Sequence, residues 1–281
     1  MPDESPVVLI GCGTMGGALL NGWLTSDRSP HSVTVIDPAP RTRPVRVACL
    51  AEPAKEMSPP RVLVLAIKPQ MLAQAAPGLQ MLANRDTILL SLLAAVDVKT
   101  LHHYFANVQA VVRAVPNLPA SIGKGITALY GDALDERDRL LIDALVAPLG
   151  PVEWLDTEPL IDVATAISGC GPAFLFRYAD AVIRAGVGLG MAPEQARRLI
   201  AETMTGAGRM LRESTASPVD MASAVASPGG VTRAGLARLD RGDGLATLIG
   251  ETLAAAARRN EELATAARVS AGTTQGPGSI E

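Results

Sequence analysis

Val7-Val8-Leu9-Ile10-Gly11-Cys12-Gly13-Thr14-Met15-Gly16-Gly17-Ala18-Leu19-Leu20 is the stretch from which the rest of the chain can be read. Four apolar, mostly β-branched residues suit a strand buried on both faces. The following residues spell G-x-G-x-x-G. Its first glycine permits a tight turn, its second lets backbone approach a pyrophosphate, and its third lets the next helix pack close to the strand. A helix starting there would offer free N–H groups and a positive dipole end to phosphate. Asp37 closes the next apolar run, Val33-Thr34-Val35-Ile36, where a carboxylate can accept hydrogen bonds from a ribose 2′-OH.

Outward from this motif, short apolar runs alternate with helical or loop segments across residues 7–155. The later runs are Arg61–Ile67, Thr87–Leu93, Val108–Ala114, Ile126–Tyr130 and Val152–Leu155, with helical spacing over Asp135–Leu149. Such alternation predicts a doubly wound, mostly parallel α/β sheet. Ligands in such sheets bind beyond the carboxyl ends of strands, so the residues after each run are site candidates. These are Ala66-Ile67-Lys68-Pro69, then Ala94-Ala95-Val96, then Val115-Pro116-Asn117-Leu118-Pro119-Ala120. Lys68 is either a solvated strand end or, being on the expected ligand edge, a residue facing cofactor phosphate or ribose. Asn117, between two prolines, sits in a rigid hydrogen-bonding loop.

From about Glu158 the strand signal ends. Ile161–Gly190, Pro193–Glu213, Pro218–Ala226, Gly230–Asp240 and Gly244–Ala266 are Ala-rich and helix-spaced, with Pro193 and Pro218 suited to first turns. Their many small residues, among them Ala164, Gly169, Ala173, Gly186 and Gly206, point to close-packed helices shared between subunits. The expected division is therefore 1–157 for the sheet domain and 158–269 for an all-α domain. The tail 270–281, rich in Gly, Thr, Ser and Pro, reads as disordered.

Two further stretches carry chemistry. Ser227-Pro228-Gly229-Gly230-Val231-Thr232 stands between helical segments. The N–H groups of Gly230, Val231 and Thr232 at a helix start would suit a carboxylate, and Ser227 and Thr232 add hydroxyls. A plain helix–helix turn is the alternative. Ser168-Gly169-Cys170-Gly171-Pro172-Ala173 interrupts a helical pattern, either as a kink that fits helices together or as a ligand contact.

Composition narrows the function. The chain has 281 residues, 48% of them hydrophobic and 3% aromatic, with a formal net charge of −3. No basic stripe or stacking platform suggests nucleic acid. No apolar run is expected to approach the ~18 residues of a membrane span, and the N-terminus carries Asp3 and Glu4 without a basic residue before Arg28. Cys12, Cys49 and Cys170 show neither metal spacing nor a disulfide framework, and the three histidines form no metal set. The expectation is a cytoplasmic protein without metal.

At this point the residues resemble a family. Ile10–Gly16, Ala66–Pro69, Val115–Ala120, Ser168–Ala173 and Ser227–Thr232 match pyrroline-5-carboxylate reductases in order and across the whole chain. The resemblance implies a Rossmann-like sheet domain followed by an all-α dimerisation domain, in dimers that often form decamers. It implies reduction of 1-pyrroline-5-carboxylate to proline with NADPH or NADH. It places cofactor on Gly11, Cys12, Gly13, Thr14, Met15 and Gly16, on Ala66–Pro69 and near Ala94, with Asp37 at the ribose. It places the substrate carboxylate on Ser227, Gly229, Gly230, Val231 and Thr232, with the Thr232 hydroxyl beside the imine nitrogen as the catalytic group. Asn117 is a further candidate substrate contact.

The chain departs from the family pattern at several positions. Leu118 stands for Thr, Leu93 and Ala95 for the Ala and Gly of Ala-Ala-Gly, and Cys170 for Ser. Val231 replaces Thr or Ala, and Ala222-Ser223 a basic–acidic pair. A ketone reductase needs a proton donor, usually Lys, His or Tyr, whereas a cyclic imine can arrive protonated. The Ser227–Thr232 loop contains no Lys or His. The rival readings are a β-hydroxyacid dehydrogenase, which would carry a catalytic Lys early in the helical domain, and a cofactor-binding regulator without turnover.

Overall fold

The computed structural model describes residues 4–26, 28–40 and 44–273. Its chain divides into two compact units, Met1–Cys170 with Ala256–Glu281, and Gly171–Ala255.

The first unit is built on one sheet. Its strands are β1 (Val7–Ile10), β2 (Val33–Ile36), β3 (Ala48–Leu50), β4 (Val62–Leu65), β5 (Ile88–Ser91), β6 (Ala110–Pro116), β7 (Thr127–Gly131) and β8 (Val152–Trp154), in spatial order 3-2-1-4-5-6-7-8. Every neighbouring pair is parallel except β6 with β7. β3 has no counterpart among the expected runs. It is only three residues long and half exposed at the sheet edge, so neither apolar continuity nor alternation marks it.

The central strands are apolar throughout because both faces are covered, and side-chain alternation sends successive residues to opposite layers. Val7 and Leu9 join a core with Leu19, Leu20 and Trp23 of α1 (Thr14–Thr25). Val8 and Ile10 join another with Leu72, Ala76 and Leu79 of α2 (Leu72–Leu79) and Leu101 and Tyr104 of α3 (Val98–Tyr104). On the α1 side lies α4 (Glu136–Val146), contributing Leu141, Ile142 and Leu145. The indole Nε1 of Trp23 donates to the Leu145 carbonyl at 2.7 Å, tying α1 to α4. Asp97 and Asp135 cap α3 and α4 by accepting from the N–H groups of Thr100 and Asp138, each at 2.7 Å. Strand order runs outward in opposite directions from β1 and β4. A crevice is expected beyond their carboxyl ends.

One continuous helical run covers Pro159–Gly188. It comprises α5 (Pro159–Ala164), a π-helical turn at Thr165–Gly169 and α6 (Gly171–Gly188). The Cys170 N–H reaches back five residues to the Thr165 carbonyl at 2.9 Å. The widened turn lies where the ring of Pro172 would otherwise crowd a regular helix, so the expected interruption takes the form of a bulge rather than a break. This run corrects the reading that no apolar stretch approaches a membrane span. By length and composition it meets that criterion, with a mean hydropathy of 1.4 over its most apolar 18-residue window. A count of uncharged residues misses it because the stretch between Asp162 and Arg177 is only 14 residues long, and a span-length window must take in a charge.

The second unit contains α6, α7 (Pro193–Glu213), α8 (Pro218–Ala224), α9 (Val231–Leu239) and the first part of α10 (Gly244–Thr273). The expected proline starts of α7 and α8 are present, and Ser217 caps α8 by accepting from the Asp220 N–H at 3.1 Å. Helices α6 and α7 pack together. Only small or isolated apolar groups, such as Ala196, Ile200 and Ala226, are buried here, while Leu175, Phe176, Leu199, Leu248 and Ile249 are exposed. α10 runs on to Thr273 and returns to the first unit from Ala256. The rest of the expected disordered tail lies outside the described residues.

Candidate active site

The passage from β1 into α1 is tight. Gly11 adopts φ +89°, and a Cβ there would stand 2.8 Å from the Ala66 carbonyl oxygen. A Cβ on Gly16 would come within 2.2 Å of the Gly11 oxygen, so α1 can rest on the strand end only with glycine at that place. Gly13 differs from both. A Cβ there would meet nothing within 4 Å. The protein's own packing leaves that side of the loop open, as a cradle for a pyrophosphate requires. α1 begins with no side-chain cap and no acidic residue in its first turn, which leaves its positive end suited to an anion. Cys12 is fully buried, while Thr14 is exposed and Met15 half-buried.

Asp37 is held beside this loop. Its carboxylate accepts from the Cys12 N–H at 2.6 Å and the Ala39 N–H at 2.8 Å, one bond to each oxygen. The acid at the end of β2 is thereby fixed against the glycine turn. Arg41 and Arg43, the nearby cations that could hold a 2′-phosphate instead, lie outside the described residues.

The other rims follow from the sheet. The Ala66 N–H donates to the Ile10 carbonyl at 2.8 Å, bringing Ala66-Ile67 alongside the glycine turn. Lys68 is exposed, and Pro69 opens a 3-10 turn over Pro69–Met71. Beyond β5, Ala94 is exposed while Ala95 is buried in a left-handed conformation, φ 58°. A β-carbon is disfavoured there by about 1–2 kcal/mol, which explains why the family pattern has glycine at this position. A cavity of about 530 Å³ lies between Pro69, the Ala94–Ala95 loop and the side chains of Leu263, Ala266 and Ala267 from α10.

One ion pair ties this loop down. Arg268 Nε donates to Asp97 Oδ2 at 2.6 Å, while Asp97 Oδ1 caps α3. Burial pushes the Asp97 carboxyl up, but hydrogen bonds from Thr100 and Arg268, with the guanidinium charge, outweigh it and hold it below the ordinary carboxylate value. Arg268 is correspondingly held charged. Neither residue was singled out from sequence. Asp97-Val98-Lys99-Thr100 does carry the signature of a helix start, but nothing local points from Asp97 to a partner 171 positions away.

Asn117 follows β6. Its Oδ1 accepts from the Ile126 N–H at 3.0 Å, pinning the connection to β7 and leaving its amide N–H₂ as the donor end. Leu118 beside it is exposed. In the first unit, therefore, Gly11–Gly16, Asp37, Ala66–Pro69, Ala94 and Asn117 all stand at the carboxyl ends of β1, β2, β4, β5 and β6.

The remaining candidates belong to the second unit. There the Gly230 N–H turns back to the Ser227 carbonyl at 3.0 Å, and Gly229 takes φ +70°. A Cβ on Gly230 would lie 2.5 Å from the Ser227 Oγ. α9 then starts with Gly230 as its N-cap and no side-chain cap, leaving first-turn N–H groups for an anion. Arg233 anchors the turn by donating to the Ala226 carbonyl at 2.9 Å. Ser227, Val231 and Thr232 are exposed. The geometry is that of a tight glycine turn opening a helix, with a threonine hydroxyl in the first helical turn.

Comparison with known proteins agrees with both halves. Residues 158–263 match the family model for pyrroline-5-carboxylate reductase dimerisation. Residues 6–95 match that for NADP oxidoreductase, coenzyme F420-dependent. The chain is 33% identical over 264 residues to a pyrroline-5-carboxylate reductase of Synechocystis, covering 91% of this chain and 97% of the relative. It is 31% identical over 268 residues to pyrroline-5-carboxylate reductase 3 of Danio rerio, covering 92% and 93%. Among solved structures, a pyrroline-5-carboxylate reductase from Coxiella burnetii superposes with a TM-score of 0.84 at 27% identity, over 93% of this chain and 99% of that one. The Plasmodium falciparum enzyme, solved with NADP bound, shares the fold with a TM-score of 0.75 at 22% identity, over 92% and 98%.

The open side of Gly13 separates a folding role from a binding role. Gly13→Ala is expected to keep the wild-type melting temperature while weakening dinucleotide binding about tenfold or more, equivalent to ~1.4 kcal/mol. Calorimetric unfolding and NADH fluorescence titration check the two halves. A large stability loss, or unchanged binding, would contradict this account of the loop.

Proposed function

The chain belongs to the pyrroline-5-carboxylate reductases, and from that premise we propose how its own residues carry the reaction. It reduces 1-pyrroline-5-carboxylate to L-proline with NAD(P)H, the closing step of proline biosynthesis. The observation that carries the assignment is the match to relatives named for this activity along both halves of the chain. The β-hydroxyacid dehydrogenase reading is not favoured, and the stretch Gly171–Gly188 has no lysine to serve it.

In our reading, residues 1–157 hold cofactor and 158–269 supply dimerisation and substrate binding. Gly11, Cys12, Gly13, Thr14, Met15 and Gly16 receive the pyrophosphate, Asp37 the adenosine ribose, and Ala66, Ile67, Lys68, Pro69 and Ala94 the remaining length of the cofactor. When bound, the reduced nicotinamide supplies the hydride. Ser227, Gly229, Gly230, Val231 and Thr232 take the substrate carboxylate on the α9 N-terminus, with Asn117 as an additional donor. The ring nitrogen of a protonated imine already carries its proton, so these groups orient and stabilise rather than transfer a proton. The Thr232 hydroxyl accepts from that nitrogen and holds the C=N carbon in register.

Family membership makes the protein an oligomer acting on a small molecule. We propose a homodimer as the basic assembly, with a decamer built from it. The exposed apolar groups of α6, α7 and α10 support that arrangement. We assign the apolar run Pro159–Gly188 to the shared helical core rather than to a bilayer, because the dimerisation match covers all of it. A cytoplasmic setting suits Cys12, Cys49 and Cys170, none of which forms a disulfide. Scattered charges of both signs and a net charge of −3 argue against a nucleic-acid partner.

Asp37 sets the cofactor preference. A carboxylate fixed by two backbone N–H groups attracts a free 2′-OH and repels a 2′-phosphate, which favours NADH. Asp37→Ser is expected to move the ratio of kcat/KM for NADH over NADPH about tenfold toward NADPH, ~1.4 kcal/mol of relieved repulsion. An unchanged ratio would remove Asp37 from the cofactor site.

The activity and the role of Thr232 are tested in one assay. Purified enzyme should oxidise NADH or NADPH only when pyrroline-5-carboxylate is present. A hydrogen bond to a charged group contributes roughly 1.5–3 kcal/mol, so Thr232→Ala should lower kcat/KM for the imine about 10- to 150-fold. Thr232→Ser should retain much of the activity, and cofactor affinity should stay unchanged in both. Full imine reduction by Thr232→Ala would make the loop a structural turn.

A further inference from the structure

The loop after β5 is the least self-sufficient part of the first unit. Ala95 holds a left-handed conformation that its β-carbon disfavours, and such conformations persist only when surrounding structure over-determines them. The Leu93 N–H donates to the Ser91 Oγ at 3.3 Å before it, and the Val98 N–H donates to Glu158 Oε1 at 2.7 Å after it. A further restraint comes from a segment far away in sequence, the end of α10. Leu263, Ala266 and Ala267 wall the same cavity as Pro69, Ala94 and Ala95. Two residues beyond Ala95, Asp97 receives Arg268 at 2.6 Å. One turn or more earlier on α10, the buried Asn260 donates to Asp162 of α5 at 2.8 Å. The helix end is therefore anchored at two points, with the strained loop beneath it.

We propose that Arg268 is a positioning residue for the dinucleotide, holding the Ala94–Asp97 loop through Asp97 so that Ala94 meets the cofactor in a fixed place. The proposal rests on the reading that Ala94 contacts cofactor. Arg268 itself touches neither cofactor nor substrate. Without the pair, the loop is free to relax toward conformations that Ala95 prefers, and the binding-competent arrangement becomes one of several. Affinity then falls by the fraction of time the loop spends elsewhere. Because the carboxyl is held below its ordinary value, the pair stays ionised throughout the neutral range and is lost only as the pH falls through the lowered value.

The test uses full-length enzyme at one fixed ionic strength, since the pair is partly exposed. Arg268→Gln and Asp97→Asn, which keeps an oxygen to cap α3, should each raise the Kd for NADH about 2- to 5-fold, as expected for one partly exposed ion pair. The double variant should be no worse than either single one, and Arg268→Lys should recover most of the affinity. The KM for the imine should not move. Additive losses in the double variant, or an unchanged Kd in both single variants, would overturn the proposal. Ala94→Arg, measured in parallel, separates the two claims. It should block NADH binding, and if it does not, the placement of the loop at the cofactor fails and the role of Arg268 falls with it. If Ala94→Arg blocks binding while Arg268→Gln and Asp97→Asn leave Kd untouched, the placement stands and only the positioning role is lost.

Discussion

The contact between the Gly16 backbone and the Gly11 carbonyl oxygen, too close to admit a Cβ, is the constraint on which the rest of the fold depends. It seats α1 on the end of β1, with Leu19, Leu20 and Trp23 turned into the core. The same seat aims the uncapped start of α1 across the place where strand order reverses between β1 and β4. The Ala66 N–H on the Ile10 carbonyl and the Asp37 carboxylate on the Cys12 N–H then draw the neighbouring strand ends around that turn. Substituting either glycine with a larger residue would lift the helix from the strand and spread the whole crevice. The binding geometry is in this sense a by-product of how one helix is packed.

Much of this was legible in the residues, and for an identifiable reason. Strands buried on both faces leave continuous apolar runs, and glycine with positive φ leaves a motif, so β1, β2, β4 and the turn at Gly11 could be read directly. Pro193 and Pro218 announced the starts of α7 and α8. β3 could not be read because three half-exposed residues carry no pattern. The π-helical turn at Thr165–Gly169 could not be read because Pro172 and its glycines are equally consistent with a break. The membrane-like character of Pro159–Gly188 was missed because its longest uncharged stretch, between Asp162 and Arg177, is shorter than a span, and only a window that tolerates a charge reveals it.

The site was legible in its parts and not in its support. Gly11–Gly16, Asp37, Ala66–Pro69, Ala94 and Asn117 come together because they end successive strands, which a sheet topology anticipates. What holds the loop after β5 is long-range. Asp97 and Arg268 are 171 positions apart, and Asn260 reaches back 98 positions to Asp162. Such pairs create no local periodicity. Ala95 illustrates the same limit. Alanine in a run of alanines gives no hint that one of them must adopt a left-handed conformation, yet that conformation makes the loop dependent on outside restraint.

The sparse interior of Gly171–Ala255 also bears on how the polypeptide reaches its finished state. The sheet unit encloses its own apolar side chains and can condense as soon as its sequence is available. The helices that follow leave Leu175, Phe176, Leu199 and Leu248 with no interior to enter within the same unit. Completing that half is a second-order event, governed by encounter with another copy, so its rate rises with protein concentration. A newly made chain must wait, half finished and with apolar helices uncovered. The interval before it meets a partner is the period in which it is most exposed to aggregation and proteolysis.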